Sequence, residues 1–398
     1  MPFEIKNGVL RNYREEPGVT EVVIPDGVTR IGDGAFFSCE SLTSITIPES
    51  VVKIDCNAFA FCYRLTSITI PAGVTSVEKY TFRCCMNLKD VVIPEGVTSI
   101  GGTAFAGCTK LTNVVLPASL VNIEQWAFAG CRSLSSITIP EGVTRIEGAA
   151  FSNCSELTDI VIPDSVTSIG NSAFAGCGKL KSVVLPTGVT DIGEHMFWGC
   201  TDLADESGLV IIHGTLYSCV DDRDSVTIPK DVTHIGDGAF AGCGDLTDIT
   251  IPDNVTSIGR GAFSRCEFLD SITLPDSITS IGEKAFWRCS GLTSITIPDH
   301  VTHIERETFA ECKRLANVII PEGVTNIGEQ AFRWCTRLTS ITIPNSVVSI
   351  GDGAFDECKN LTSITIPDNV TDISDSAFAG CRGLADGSGH IIVCGVIF

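Results

Sequence analysis

The stretch Leu42-Thr-Ser-Ile-Thr-Ile-Pro-Glu-Ser-Val-Val-Lys-Ile-Asp-Cys-Asn-Ala-Phe-Ala-Phe-Cys62 carries the plan of the whole chain. Ile45 and Ile47 flank Thr46, the two-residue period of a strand with one buried face, and Leu42 leads into it. Pro48-Glu49-Ser50 then bends the chain, because proline presets φ and the next two residues suit the remaining corners of a turn. A second extended stretch, Val51 to Ile54, leads into Ala58, Phe59, Cys62 and Leu65. Their three- and four-residue spacings predict a short helical turn with one apolar edge. Three sides close one coil.

The same coil recurs along the chain. Of the 19 cysteines, fifteen occupy one repeating position, in steps of 23 from Cys39 to Cys200 and again from Cys243 to Cys381. Each has Phe three residues before it, Leu three after and Pro fourteen before, from Phe36, Leu42 and Pro25 to Phe378, Leu384 and Pro367. A coil this short cannot bury its own apolar face, so neighbours must stack and share a core in which Phe, Cys, Leu and Ile form columns. The expected fold is therefore a β-rich solenoid. It has a parallel sheet with one strand per 23-residue coil, short helical turns on the other side and β-hairpin caps.

The unit L-x-x-I-x-I-P-x-x-V-x-x-I-x-x-x-A-F-x-x-C resembles the BspA-like branch of the leucine-rich-repeat family over nearly the whole chain. The general family's L-x-x-L-x-L-x-x-N is matched at the strand, while its asparagine is absent and Pro with a late Cys replaces it. The resemblance implies a leucine-rich-repeat solenoid of α/β horseshoe type. It also implies a bacterial or protist protein, at the cell surface or secreted, that binds host or neighbouring-cell proteins.

Leu203 and Pro229 are 26 residues apart where other units need six, so about one unusual coil is inserted there. Its Leu209-Val-Ile-Ile-His-Gly-Thr-Leu-Tyr217 resembles Phe3-Glu-Ile-Lys-Asn-Gly-Val-Leu10 and His390-Ile-Ile-Val-Cys-Gly-Val-Ile-Phe398. All three read as hairpins, most clearly at Asn7-Gly8, since a type I′ turn needs positive φ twice. The expected organisation is an N-terminal hairpin cap at 1–18, a first repeat block of eight units at 19–203 and an inserted hairpin coil at 204–223. A second block of seven units at 224–384 and a C-terminal hairpin at 385–398 complete it. The last hairpin stops three residues after its glycine, which reads as trimming from a longer protein.

Composition narrows the function. Hydrophobic residues at 44% against 19% charged exclude a disordered chain. A net charge of −21 repels phosphate backbones and anionic lipid, which argues against nucleic acid as partner. No apolar run approaches the roughly 20 residues of a membrane span. No signal-peptide pattern opens the sequence, so a cytoplasmic location is the alternative to the surface location that the resemblance implies.

No cofactor or metal is expected. The 23-residue spacing stacks the cysteines at a core-facing position, no C-x-x-C pair occurs, and buried free thiols are the reading. His300 and His303 with Asp299 and Glu305 resemble a metal cluster. However, His300 lies at the proline turn, His303 on the second strand, and His234 three coils away, too far for ligands at 2 Å to converge. The acids that follow the turn proline, such as Asp26, Glu49, Asp253 and Asp276, suit that turn position without a calcium ion. No Ser, His and acid set assembles from separated coils, and no catalytic residues are assigned.

Two surfaces compete to bind a protein. One is the helical-turn edge, where the repeat varies and Arg265, Phe268, Trp287, Arg288, Arg314, Arg333, Trp334 and Arg337 gather in the later coils, with Phe37, Phe61, Tyr63 and Tyr80 near the start. Trp, Tyr and Arg are the types enriched in interface hot spots. From Arg260 to Arg337 there are nine Lys and Arg against ten Asp and Glu, nearly neutral in an acidic chain, so an acidic partner suits this edge. The alternative site is the outward strand face, with Thr46, Thr69, Thr138, Thr296, Thr342 and Thr365, where leucine-rich repeats commonly bind. The sequence thus favours a non-enzymatic adhesion or protein-binding module. The rivals are a structural component that associates end to end into fibres or a surface layer, and an intracellular interaction scaffold.

Overall fold

Two walls of each coil are short parallel strands held to the same residues one coil away. In the computed structural model, which describes residues 2–189, 191–220 and 223–385 with the backbone of 392–393 and 396–397, Ser44–Thr46 pairs in parallel with Glu21–Val23 and with Ser67–Ile68. Ile45 is buried and Thr46 exposed, the alternation expected from the sequence. The second wall is a run of two-residue strands such as Lys53–Ile54, each paired at a 23-residue offset, as Arg30 is with Lys53 and Asn122 with Arg145.

The third wall corrects the expected helical turn. Among the described residues there is no α-helix, only the 3-10 segments Thr201–Leu203 and Arg382–Leu384. Two β-turns take its place, for a reason visible at Asn57 to Cys62. The amides of Phe59 and Phe61 donate outward to Thr81 and Arg83 of the next coil, at 2.9 and 2.7 Å. Those of Ala60 and Cys62 close turns onto Asn57 and Phe59. With alternate amides committed to a neighbour, no helical ladder can propagate. Asn57 and Phe61 also sit at φ of 55° and 63°, left-handed positions that stop a right-handed helix. The solenoid is thus hydrogen-bonded coil to coil on all three walls.

Inside run the columns. Phenylalanine rings stack nearly parallel with centroids 5.3 Å apart at Phe105 and Phe128 and 5.4 Å apart at Phe286 and Phe309. Each column phenylalanine from Phe36 to Phe309 has no exposed surface, and burying one contributes roughly 1.5–3 kcal/mol. Beside them the thiols donate to the carbonyl of the phenylalanine one coil back, as Cys131 does to Phe105 at 3.2 Å. Cysteine is small enough for the column and also satisfies a carbonyl that an alanine would leave bare.

The chain divides into two compact units, Met1–Leu203 and Ala204–Phe398. The first opens on an antiparallel hairpin, Phe3–Lys6 with Val9–Tyr13, turned at Asn7 and Gly8 with φ of 53° and 73°. Leu10 then pairs with Ile31 of the second wall, and Tyr13 stacks on Phe36 at 5.1 Å, so the hairpin covers the end of the column. The second unit repeats the device with Leu209–Ile212 and Thr215–Cys219, turned at His213 and Gly214. Ile392–Val393 pairs antiparallel with Val396–Ile397, while the expected turn at Cys394-Gly395 lies outside the described residues.

Candidate functional site

The two surfaces read from the sequence both face solvent. On the turn edge of the second unit Arg265, Phe268, Arg314 and Arg337 are exposed, and Trp287, Arg288, Arg333 and Trp334 are half-buried. Three of them form one cluster: the guanidinium of Arg288 lies 4.4 Å and that of Arg265 5.1 Å from the centre of the Trp287 ring. An indole flanked by two cations is held in place and still presents an edge outward. Arg333 and Trp334, two coils on, do not touch this cluster. Arg333 pairs with Asp356 at 2.9 Å, and Trp334 carries the ammonium of Lys359 at 4.9 Å from its ring centre. Phe268, 63% exposed, and Arg314 and Arg337 stand apart from both.

The sequence reading missed the acids that hold these arginines. Arg288 pairs with Glu311 at 3.0 Å, and Lys284 with Glu307 at 3.6 Å. In each case, as with Arg333 and Asp356, the partner is 23 residues on. Comparing charges down a column, one coil at a time, would have found them. A shallow depression bounded by Glu267, Arg288, Ser290, Glu311 and Lys313 lies beside the Trp287 cluster.

The strand face differs from its threonine-row reading. Thr46, Thr69, Thr138, Thr296, Thr342 and Thr365 are all exposed. The same column also holds exposed Val23, Val92, Val115, Val161 and Val184 in the first unit and Ile319 in the second. Between Asn317–Ile319 and Ser340–Thr342 the strands are not paired, and a crevice opens there lined by Val318, Ile319, Glu322, Ser340, Thr342 and Pro344. The first unit has its own edge cluster. Phe37 meets Phe61 edge-on at 5.3 Å, Phe61 meets Tyr63 at 6.0 Å, and the guanidinium of Arg83 lies over both Phe61 and Tyr80.

The remaining candidates are engaged locally. His303 Nδ1 lies 2.9 Å from Thr302 Oγ1, and His300 Nδ1 3.2 Å from the carbonyl of Asp276. Among the described residues no three His, Cys, Asp or Glu side chains are placed to hold a metal ion. Burial drives the column thiols upward in pKa, to about 12 at Cys154 and Cys200. They are protonated at neutral pH, the opposite of a nucleophilic or metal-binding thiolate. No helix among the described residues is long and apolar enough to cross a membrane.

The BspA type leucine rich repeat region matches in six copies, over residues 11–108, 75–204, 210–338 and 325–386. The chain belongs to the BspA-type leucine-rich-repeat family. Among solved structures, this BspA-type chain is similar to a leucine-rich repeat protein from Bacteroides ovatus. The two are 28% identical over 96% of this chain and 91% of that one, with a TM-score of 0.51. A leucine-rich repeat protein from Eubacterium ventriosum is 27% identical over 74% of this chain and 83% of its own, with a TM-score of 0.53. A leucine rich cell surface protein from Faecalibacterium prausnitzii is 27% identical over 96% and 91%, with a TM-score of 0.43. No curated protein matches the BspA-type chain.

Proposed function

We propose that this BspA-type solenoid is a non-enzymatic binding module that recognises another protein, and that the turn edge of its second unit is the contact surface. The observation that carries the reading is the Trp287 ring held between Arg265 and Arg288 at a solvent-facing edge. An aromatic anchor braced by cations gives area at low entropic cost, which is what interface hot spots require. Display at the cell surface or secretion is the location that suits the family resemblance. The hairpins at 1–18, 204–223 and 385–398 serve as caps in this reading, keeping column ends from templating other chains. The test is capture of a binding partner by the intact chain, with Trp287→Ala/Trp334→Ala as the comparison. Capture should fall at least tenfold, and equal capture would reject the site.

A second reading has its own support, the exposed valines Val92 and Val115 on adjacent paired strands of the first unit. Contiguous apolar residues on an open sheet face mark contact surfaces. Loss of capture in Val92→Ser/Val115→Ser, with the tryptophan variant unaffected, would move the site to the strand face. A size that grows with concentration in the absence of any partner would favour the self-assembling component instead.

A further inference from the structure

The residue before each column cysteine has a left-handed backbone in all fifteen coils, with φ between 56° at Ser38 and 79° at Gly242. Glycine takes this conformation without strain, and Gly107, Gly130, Gly176 and Gly199 fill the position in the first unit. In the second unit glycine appears only at the outer coils, Gly242 and Gly380. The five coils between them carry Arg265, Arg288, Glu311, Trp334 and Glu357, at φ of 60° to 62°. None of these is a residue type that bonds to its own backbone to ease the left-handed state, as the asparagine at Asn153 can. Five strained side chains in succession, with glycine at either end, mark a bounded functional row, since strain persists where the side chain serves a purpose.

The row also contains the contacts of the candidate site. Arg265 and Arg288 lie against Trp287, Glu311 pairs with Arg288, and Lys359 joins Glu357 at 3.0 Å while lying over Trp334. Charges left over have one sign. Among the described residues, Lys313, Arg314 and Arg337 on this edge have no acidic side chain in ion-pair range, and Arg265 has only the indole. Glu267 is the one acid of the same turns left without a cation. Four coil steps make the row about 20 Å long at strand spacing, the reach of roughly six extended residues.

We propose that the row from Arg265 to Glu357 is the footprint of an extended acidic segment of a partner protein, its carboxylates meeting Arg265, Lys313, Arg314 and Arg337 beside the Trp334 ring. This rests on the reading of the turn edge as a protein-binding surface and adds the chemistry of what it binds. Bidentate guanidinium–carboxylate contacts give such a segment orientation as well as attraction.

The test uses the full chain and a fluorescent hexaglutamate peptide, followed by anisotropy. Arg265→Gly/Arg288→Gly/Glu311→Gly/Glu357→Gly should weaken the peptide at least tenfold while the thermal midpoint stays level or rises, because glycine relieves the strain. Arg314→Ala/Arg337→Ala should also weaken it at least tenfold. A lowered midpoint in the glycine variant would show a structural row and overturn the proposal, as would unchanged peptide binding. A heparin hexasaccharide or hexathymidylate binding more tightly than the peptide would overturn it in favour of a general polyanion surface. If the glycine variant keeps the peptide while Trp287→Ala/Trp334→Ala loses partner capture, the footprint falls and the edge stands. If both variants keep their ligands, both readings fall.

Discussion

The thiol of Cys289 donates a hydrogen bond to the main-chain carbonyl of Phe263, 3.0 Å away in the preceding coil. Thirteen such bonds, from Cys62 to Cys381, tie the sulfur column to the phenylalanine column. Cysteine therefore acts here as a donor of matched size, which needs the proton to stay on sulfur.

That proton gives the fold a pH limit. Burial pushes the thiols of Cys39, Cys154 and Cys200 up to about 12, above the ordinary value near 9 that they regain on unfolding. A group whose folded pKa is raised contributes its full stability below the unfolded value and loses it as pH climbs toward the folded one. Stability should accordingly hold through pH 8 and fall between about pH 9 and 12, on the order of 1.4 kcal/mol per thiol per pH unit. Urea unfolding at pH 7.5, 9 and 10 checks this, and a midpoint level across the three would contradict it.

Phe286 has neighbours on both sides of its ring, Phe263 at 5.3 Å and Phe309 at 5.4 Å, and no exposed surface. Phe286→Ala should cost about 3–5 kcal/mol, because rigid coils held on three walls cannot close over the cavity. Chemical denaturation measures it. A curve superimposable on the parent's would mean that inside and outside have been exchanged.

Gly130 isolates the left-handed requirement. Its φ is 72° and a β-carbon there would approach nothing nearer than Gly107 at 3.7 Å, so backbone strain alone separates glycine from alanine. Gly130→Ala should destabilise by about 1–2 kcal/mol. At Gly193, where a β-carbon would fall 2.2 Å from the amide of Asn171, substitution to alanine should cost considerably more. Equal thermal shifts for the two variants would refute the distinction between strain and crowding.

Trp287 and Trp334 sit outside the columns and are half-buried. Replacing both with alanine should change unfolding stability by no more than about 2 kcal/mol, the sum of modest cation–ring contacts. A larger loss by calorimetry would show that these indoles hold the coils together.

The columns were legible because the sequence prints them. Phe, Cys, Leu and Pro return at fixed offsets, and only stacking explains a period of 23. The hairpin turns were equally plain, since Asn7-Gly8 and His213-Gly214 place glycine at a left-handed corner. The third wall misled. Ala58, Phe59, Cys62 and Leu65 have helical spacing, but periodicity does not reveal that Phe59 and Phe61 give their amides to the next coil. At the candidate edge, residue types pointed to Trp287 and Arg288, while Glu311 and the left-handed row were invisible to a reading along the chain. Both relationships run across coils, where sequence neighbours say little.

All three walls are bonded at one common offset, from Ser44 to Ser67 on the first, from Arg30 to Lys53 on the second and from Phe36 to Ala58 on the third. Such a molecule can lengthen or shorten only in whole increments. Removing 23 residues lets every bond re-form one step along, whereas removing 22 breaks the register of every wall together. Its size is therefore quantised, and duplication or loss of entire coils is the change its lineage can absorb most readily.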